Sequence, residues 1–255
     1  VYLNNVNPSV KALTILALVL ILALLFDPVT PVLFTMFTVL ITFLFGRFRK
    51  KYYLFYFLPF TIFAFGMFWT TIAFADPPQN PAETIVLLGW EVPEENVLVA
   101  LSLSFRVMAF ATLSLLFMFT TNMVEFLLSL MQQLRLPPKL AYGIMAGYRF
   151  LPMLKTEFDQ IRAAHRVRGV GTESKWKRSR RFAVPLLAGA IRKAERTALA
   201  MESKGFTGSR ERTFYRNLKV RGKDWLFPAG MGAVLLFFII FSVRFGYFSW
   251  YQGQL

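Results

Sequence analysis

Apolar residues run in long blocks along this chain, and each block ends at a proline, a glycine or a cluster of charge. Residues 10–26 are largely apolar and stop at Asp27-Pro28. A second block covers 32–45 and is closed by Gly46 and the cations Arg47, Arg49, Lys50 and Lys51. A third covers 52–75, with Pro59 predicting a kink, a fourth 98–120 and a fifth 225–248. About 20 apolar residues are needed to cross the roughly 30 Å hydrocarbon core of a bilayer as a helix. The second block is short, and 10–45 also reads as one hairpin, so the pattern predicts about five transmembrane helices. Trp225, Tyr247, Trp250 and Tyr251 stand where interfacial aromatic anchors are expected. The first block is too long for a signal-peptide core and leads into further spans, so it reads as a span.

The pattern changes at residue 121. Met123, Phe126, Leu127, Leu130 and Leu134 fall on one helical face, with Glu125, Ser129, Gln132, Gln133 and Arg135 on the other. Asn122 with Glu125 three residues on has the form of a capping box, and Pro137-Pro138 ends the helix. Gly143 and Gly147 then carry a spacing that lets helices approach closely. Pro152 marks a helix start or kink, and Leu154, Phe158, Ile161 and Ala164 form the stripe leading to Arg168 and Gly169. Residues 171–181 are polar and basic and read as an exposed loop. A further helix over 185–204 has Leu187, Ile191, Ala194, Ala198 and Met201 at spacings of three and four, and again closes on a cation and a glycine.

Charge fixes the sidedness this pattern implies. Counting along the 255 residues, 121–224 hold 22 of the 29 Lys and Arg and 8 of the 14 Asp and Glu. The stretch 76–96 holds five acids (Asp76, Glu83, Glu91, Glu94, Glu95) and no Lys or Arg. By the positive-inside rule the basic block is cytoplasmic and the loop 76–96 external. The expected organisation is N-terminal membrane helices over 1–120, a cytoplasmic helical domain over 121–224, and a C-terminal span with its tail over 225–255. The fold class is thus an all-α integral membrane protein with long amphipathic cytoplasmic helices. A net charge of +15 over the chain raises nucleic acid as a ligand, but charge sorted around apolar blocks points to a membrane instead. Cysteine is absent, which removes disulfides, thiol nucleophiles and thiolate metal sites.

The chemistry-bearing feature is a pair of matched helix ends, Val167-Arg168-Gly169 and Ser203-Lys204-Gly205, each cation preceded four residues earlier by alanine (Ala164, Ala200). A cation in the last turn and a glycine after it also describe an ordinary well-terminated helix. Two such ends in one basic block point further, to cations presented to carboxylate-bearing partner grooves, where Arg168 offers a bidentate fork and Lys204 a point charge.

Several segments give the chain a family likeness. They are Arg106-Val-Met-Ala-Phe-Ala-Thr, Leu136-Pro-Pro-Lys-Leu, Tyr148-Arg-Phe-Leu-Pro, Ile161-Arg-Ala-Ala-His-Arg-Val-Arg-Gly169 and Pro185-Leu-Leu through Ala200-Met-Glu-Ser-Lys-Gly-Phe206. With them the chain resembles the transmembrane coupling (T) component of energy-coupling factor transporters, a branch of the ABC transporters that imports vitamins, vitamin precursors and metal ions. The likeness is specific over about 106–206. Asn7-Pro8-Ser9-Val10-Lys11 also looks like that family's Asp-Pro-Arg-x-Lys opening. The resemblance implies a non-catalytic, cofactor-free subunit whose two Ala-Arg-Gly motifs end coupling helices, each arginine seated on one of two ABC-type ATPase subunits. By position Arg168 takes the first role and Lys204 the second. Here Val167 stands for the first alanine, and Ser203 and Lys204 stand for Ala-Arg in the second motif. A separate substrate-binding membrane subunit is the other implied partner, with Met123, Phe126, Leu130 and Leu134 as its expected contacts.

The main rival is a membrane-embedded enzyme acting on lipid or peptide. It would need convergent acids, histidines or a metal site inside the spans, yet the chain has no His-Glu-x-x-His and no acid well within an apolar block. It also has no Gly-x-x-x-x-Gly-Lys-Ser/Thr, so ATP hydrolysis is expected on partners. Arg106 and Arg244 lie near span ends and are expected to snorkel. His165, the sole histidine, reads as a helix-surface residue.

Overall fold

The computed structural model describes residues 2–46, 49–74, 84–87, 90–168 and 175–245. In chain order the elements are α1 (Tyr2–Asn5), α2 (Pro8–Ala23), α3 (Val29–Phe45), α4 (Lys50–Ala73), β1 (Thr84–Leu87), β2 (Trp90–Pro93), α5 (Glu94–Thr120), α6 (Met123–Gln133), α7 (Pro138–Val167), α8 (Lys175–Ser203), a 3₁₀ turn (Gly222–Trp225) and α9 (Leu226–Arg244). They form two compact units, Val1–Ser129 with Leu218–Leu255, and Leu130–Asn217, the division falling inside α6.

The first unit is an apolar helical bundle. Among the described residues three helices are long and apolar enough to cross a membrane (Lys50–Ala73, Asn96–Thr120 and Gly222–Arg244), and Pro8–Ala23 and Val29–Phe45 are shorter apolar helices. Together they make the all-α, multi-pass membrane architecture read from the sequence. The central helix is α5, against which α2, α3 and α4 pack, while α9 packs on α2 and α3. The core joins Leu18 and Leu22 of α2, Phe34 of α3, Leu113 and Leu116 of α5, and Met231 and Leu235 of α9. Much of α4 is exposed, including Leu54, Phe55, Leu58, Ile62, Phe63 and Phe65, as suits a helix whose solvent is lipid. Pro59 lies inside α4.

Polar pins cross this core, because backbone and side-chain polar groups held away from water need partners. Asn7 caps α2 by accepting from the Ser9 N–H at 3.1 Å, with Pro8 in the first helical turn. Asp27 opens α3 by accepting from the Thr30 N–H at 2.8 Å. Thr38 of α3 donates to Thr112 of α5 at 2.8 Å, deep in the bundle. Arg106, expected to snorkel, is buried instead: its guanidinium donates to the Leu25 carbonyl and lies 4.4 Å from the Phe26 ring centroid. The reason is local. Leu25 and Phe26 follow the end of α2, where carbonyls have no helical partner, and Arg106 supplies a donor to one of them. Arg244, in the last turn of α9, is exposed.

The stretch read as an external loop contains a small antiparallel hairpin, Thr84 pairing with Pro93 and Leu87 with Trp90. Glu91 lies in β2, and Glu94 and Glu95 open α5. Arg47, Asp76, Glu83, Tyr247, Trp250 and Tyr251 lie outside the described residues.

The second unit is built on two helices longer than the sequence pattern predicts. α7 runs 30 residues with Pro152 inside it, and α8 runs 29 residues with Pro185 inside it. The stretch taken as a loop up to Arg181 is therefore helical from Lys175. Proline removes one N–H and frees the carbonyl four residues earlier. Here those carbonyls belong to Tyr148 and Arg181, both exposed, so water can satisfy them and the helices continue.

Candidate functional site

The second unit presents α7 and α8 as an antiparallel pair, held at three levels. Near the start of α7, Tyr142 packs edge-on against Phe206, just beyond α8, at 5.4 Å between centroids. Midway, Lys193 of α8 bonds Glu157 of α7 at 2.6 Å. Gly189, one turn before Lys193, is buried, and a Cβ there would collide with the Glu157 carboxylate. Toward the end of α7, Phe158 and His165 meet Phe182 at 5.4 and 5.1 Å. His165 is thus half-buried against an aromatic ring rather than free on the helix surface.

This pairing puts the two cationic ends at opposite extremities. Arg168 is the C-cap of α7 and donates its N–H to the Ala164 carbonyl at 3.2 Å. Lys204 directly follows α8, beside the start of α7. At about 1.5 Å per residue, a 30-residue helix is roughly 45 Å long, so the two cations stand far apart. Val167, Arg168, Ser203 and Lys204 are all exposed. Gly169 lies outside the described residues.

The Lys204 end is the more closely built of the two as described. The Gly205 N–H donates to the Glu202 carbonyl and the Phe206 N–H to the Met201 carbonyl, both at 2.9 Å. Gly205 has φ +81°. These bonds make a Schellman motif, in which a residue in the left-handed region closes the helix and the next returns to its last turn. Phe206 then lies on Tyr142, and Arg212 stacks over both rings at 5.3 and 4.7 Å. Gln132 donates to the Arg216 carbonyl at 2.8 Å. The segment after α8 is therefore tied back by aromatic, cationic and amide contacts.

Gly143 and Gly147 do not bring helices into close contact. Beyond the adjoining backbone of their own helix, nothing lies within 4 Å of a Cβ built at either. They instead open a groove of about 470 Å³ between α7 and α8, lined also by Phe150, Ala194, Ala198 and Met201. Small residues on both sides leave space that larger side chains would fill.

The four α6 residues expected to meet another membrane subunit are not a single buried or exposed set. Met123 and Leu134 are exposed, Phe126 and Leu130 half-buried, and the Phe126 ring packs edge-on against Phe117 of α5 at 5.1 Å. Ser129, placed on the solvent face by the helical pattern, is buried and accepts a hydrogen bond from Ser9 at 2.7 Å. The Asn122 cap does form, accepting from the Val124 N–H at 2.9 Å.

Among the described residues four charged side chains are buried: Lys11, Asp27, Arg106 and Asp224. Lys11 had one visible signal, its place two residues after Ser9 in the opening motif.

The family described as CbiQ, cobalt transport protein, matches residues 2–215. Among curated relatives, the "Energy-coupling factor transporter transmembrane protein EcfT" of Bacillus subtilis is 38% identical over 127 residues, covering 47% of this chain and 48% of the relative. The protein of that name from Heliobacterium modesticaldum is 31% identical over 174 residues, covering 62% and 64%. That from Lactococcus lactis subsp. cremoris is 25% identical over 253 residues, covering 94% and 93%. The chain thus spans about half the length of the first relatives it matches and nearly all of the last. These matches agree with the likeness to T components carried by the motifs between Arg106 and Phe206: the chain belongs to the CbiQ family of cobalt transport proteins and is a multi-pass membrane protein of that family.

Proposed function

We propose that the chain is the coupling subunit of an energy-coupling factor importer. Two ATPase subunits engage α7 and α8 from the cytoplasm, Arg168 entering a groove on one and Lys204 a groove on the other. ATP-driven approach of the ATPases moves the α7/α8 pair, which transmits the motion toward a separate substrate-binding membrane subunit. That subunit selects the cargo, a vitamin, a vitamin precursor or a metal ion. The observation that carries this reading is the placement of two exposed cations at opposite ends of one braced antiparallel pair. A cation at a helix C-terminus is stabilised by the macrodipole and remains available to a partner carboxylate.

The test is reconstitution. The chain is co-expressed with two ATPase subunits and a substrate-binding membrane subunit and purified in mild detergent. Arg168→Ala and Lys204→Ala are expected to reduce uptake while ligand binding to the separate subunit is retained. Recovery of the chain with no ATPase, or loss of ligand binding in either variant, would overturn the assignment.

A further inference from the structure

Residues 7–11 touch four other elements of the first unit within one helical turn. The Asn7 N–H donates to Asp224 Oδ1 at 3.2 Å, in the turn that leads into α9. Ser9 donates to Ser129 of α6 at 2.7 Å. Lys11 is fully buried, and its ammonium faces four oxygens: the carbonyls of Leu3 (2.7 Å) and Thr120 (3.1 Å) and the hydroxyls of Thr120 (3.1 Å) and Thr121 (3.2 Å).

The chemistry of those oxygens explains why a lysine is there. Thr120 is the last residue of α5 and Leu3 belongs to the single turn of α1. Carbonyls at helix ends have no partner in their own helix and carry the negative end of the dipole. Lys11 therefore acts as a C-cap supplied from another helix. The Thr120 hydroxyl already donates to the Leu116 carbonyl at 2.6 Å, so its lone pairs are free to accept from Lys11. Glu125, in the first turn of α6, adds an opposite charge. The junction between α5 and α6 is fastened on both sides: Lys11 holds Thr120 and Thr121, and Ser9 holds Ser129.

We infer that residues 7–11 are a permanent joint, with Lys11 and Ser9 as positioning residues that make α6 move as one body with α2 and α5. Chain connectivity makes the position important: α6 is the segment by which the membrane helices lead on to α7 and α8. This rests on the coupling role proposed above. A soft joint would let the later helices move without driving the membrane helices, leaving ATP hydrolysis in place and uptake impaired.

The chain contains no cysteine, so a paired-cysteine test has no background within it. In the full complex, Ser9→Cys with Ser129→Cys is expected to form a disulfide on oxidation and to keep transporting when locked. Lys11→Met is expected to leave assembly and ATPase activity near their starting values and to lower uptake by about fivefold or more, a typical range for lost coupling. Adding the cysteine pair to Lys11→Met is expected to restore uptake when oxidised and lose it again on reduction, a reversal that a folding defect would not show. Failure of the disulfide to form overturns the geometry. Loss of transport in the locked form, or no redox rescue of Lys11→Met, overturns the permanent joint. Absence of ATPase from the unmodified complex would instead overturn the coupling role itself, with the disulfide result unaffected.

Discussion

Ser242 of α9 donates its hydroxyl to Asp27 Oδ2 at 2.8 Å, joining positions 215 residues apart. The same oxygen accepts the Thr30 N–H that starts α3, and Ser102 of α5 donates to the Asp27 main-chain carbonyl at 3.2 Å. One corner thus ties together α3, α5 and α9. Asp27 is fully buried, so each of its bonds is made where water cannot replace it.

Asp27→Ala is therefore expected to destabilise the purified protein by about 2–3 kcal/mol, and Ser242→Ala by about 1 kcal/mol. Thermal unfolding in detergent measures both. The two effects share one bond, so the double variant should lose less than the sum of the singles. Strict additivity would show that the Ser242 contact contributes nothing.

Arg106 leads to a different expectation. One guanidinium nitrogen donates to the Leu25 carbonyl and the group lies over Phe26, so both its reach and its planar face are used. Arg106→Lys keeps the charge but loses the plane and the reach, and should behave nearly as badly as Arg106→Met, each costing about 1–3 kcal/mol. Phe26→Leu should cost about 0.5–1 kcal/mol for the cation–π contact. Wild-type thermal stability in Arg106→Lys would show that charge alone is sufficient at this position.

These corners mark where local pattern stops being informative. The apolar blocks and the sorting of charge made the membrane fold and the basic helical block legible, because each depends on residues close in sequence. The cationic ends were legible for the same reason: a helix stop is written in its last turn. Lys11, Asp27 and Arg106 were not, since their partners stand 75 to 215 residues away on other helices, or at carbonyls that any sequence supplies. The lengths of α7 and α8 were missed because proline was read as a boundary, whereas exposed carbonyls at Tyr148 and Arg181 let the helix run through. Ser129 was misplaced because a helical wheel has two sides and α6 buries part of its polar one.

The crossing of α7 and α8 offers a sharper test of rigidity than its ion pair does. The Glu157–Lys193 pair is partly exposed, and such pairs contribute about 1 kcal/mol or less, so Glu157→Gln should change stability little. Gly189→Leu is different, since even a Cβ there meets the Glu157 carboxylate. Its Cβ displaces that carboxylate, the far end of a flexible side chain, and the rest of the leucine must be fitted at a buried position of the crossing, so uptake in the reconstituted complex should fall below that of Glu157→Gln. Equal uptake in the two variants would show that close approach at Gly189 is not needed.

The inequality of the two cationic ends gives the last expectation. Lys204 stands between Ser203, the last residue of α8, and Gly205, whose φ of +81° is a conformation that L side chains rarely adopt. Gly205→Ala should therefore fray the end of α8, at about 1 kcal/mol, and move Lys204 without removing it. Gly205→Asn should be milder, because asparagine tolerates the left-handed region better than alanine. Lys204→Arg leaves the Schellman closure intact and adds a fork to the point charge, so uptake should be retained or increased. The three variants separate charge from placement. If placement governs the ATPase contact, uptake should follow the order Lys204→Arg, Gly205→Asn, Gly205→Ala. Full uptake in Gly205→Ala would show that the cation acts from a flexible end, and the closed geometry around Phe206 would then be irrelevant to coupling.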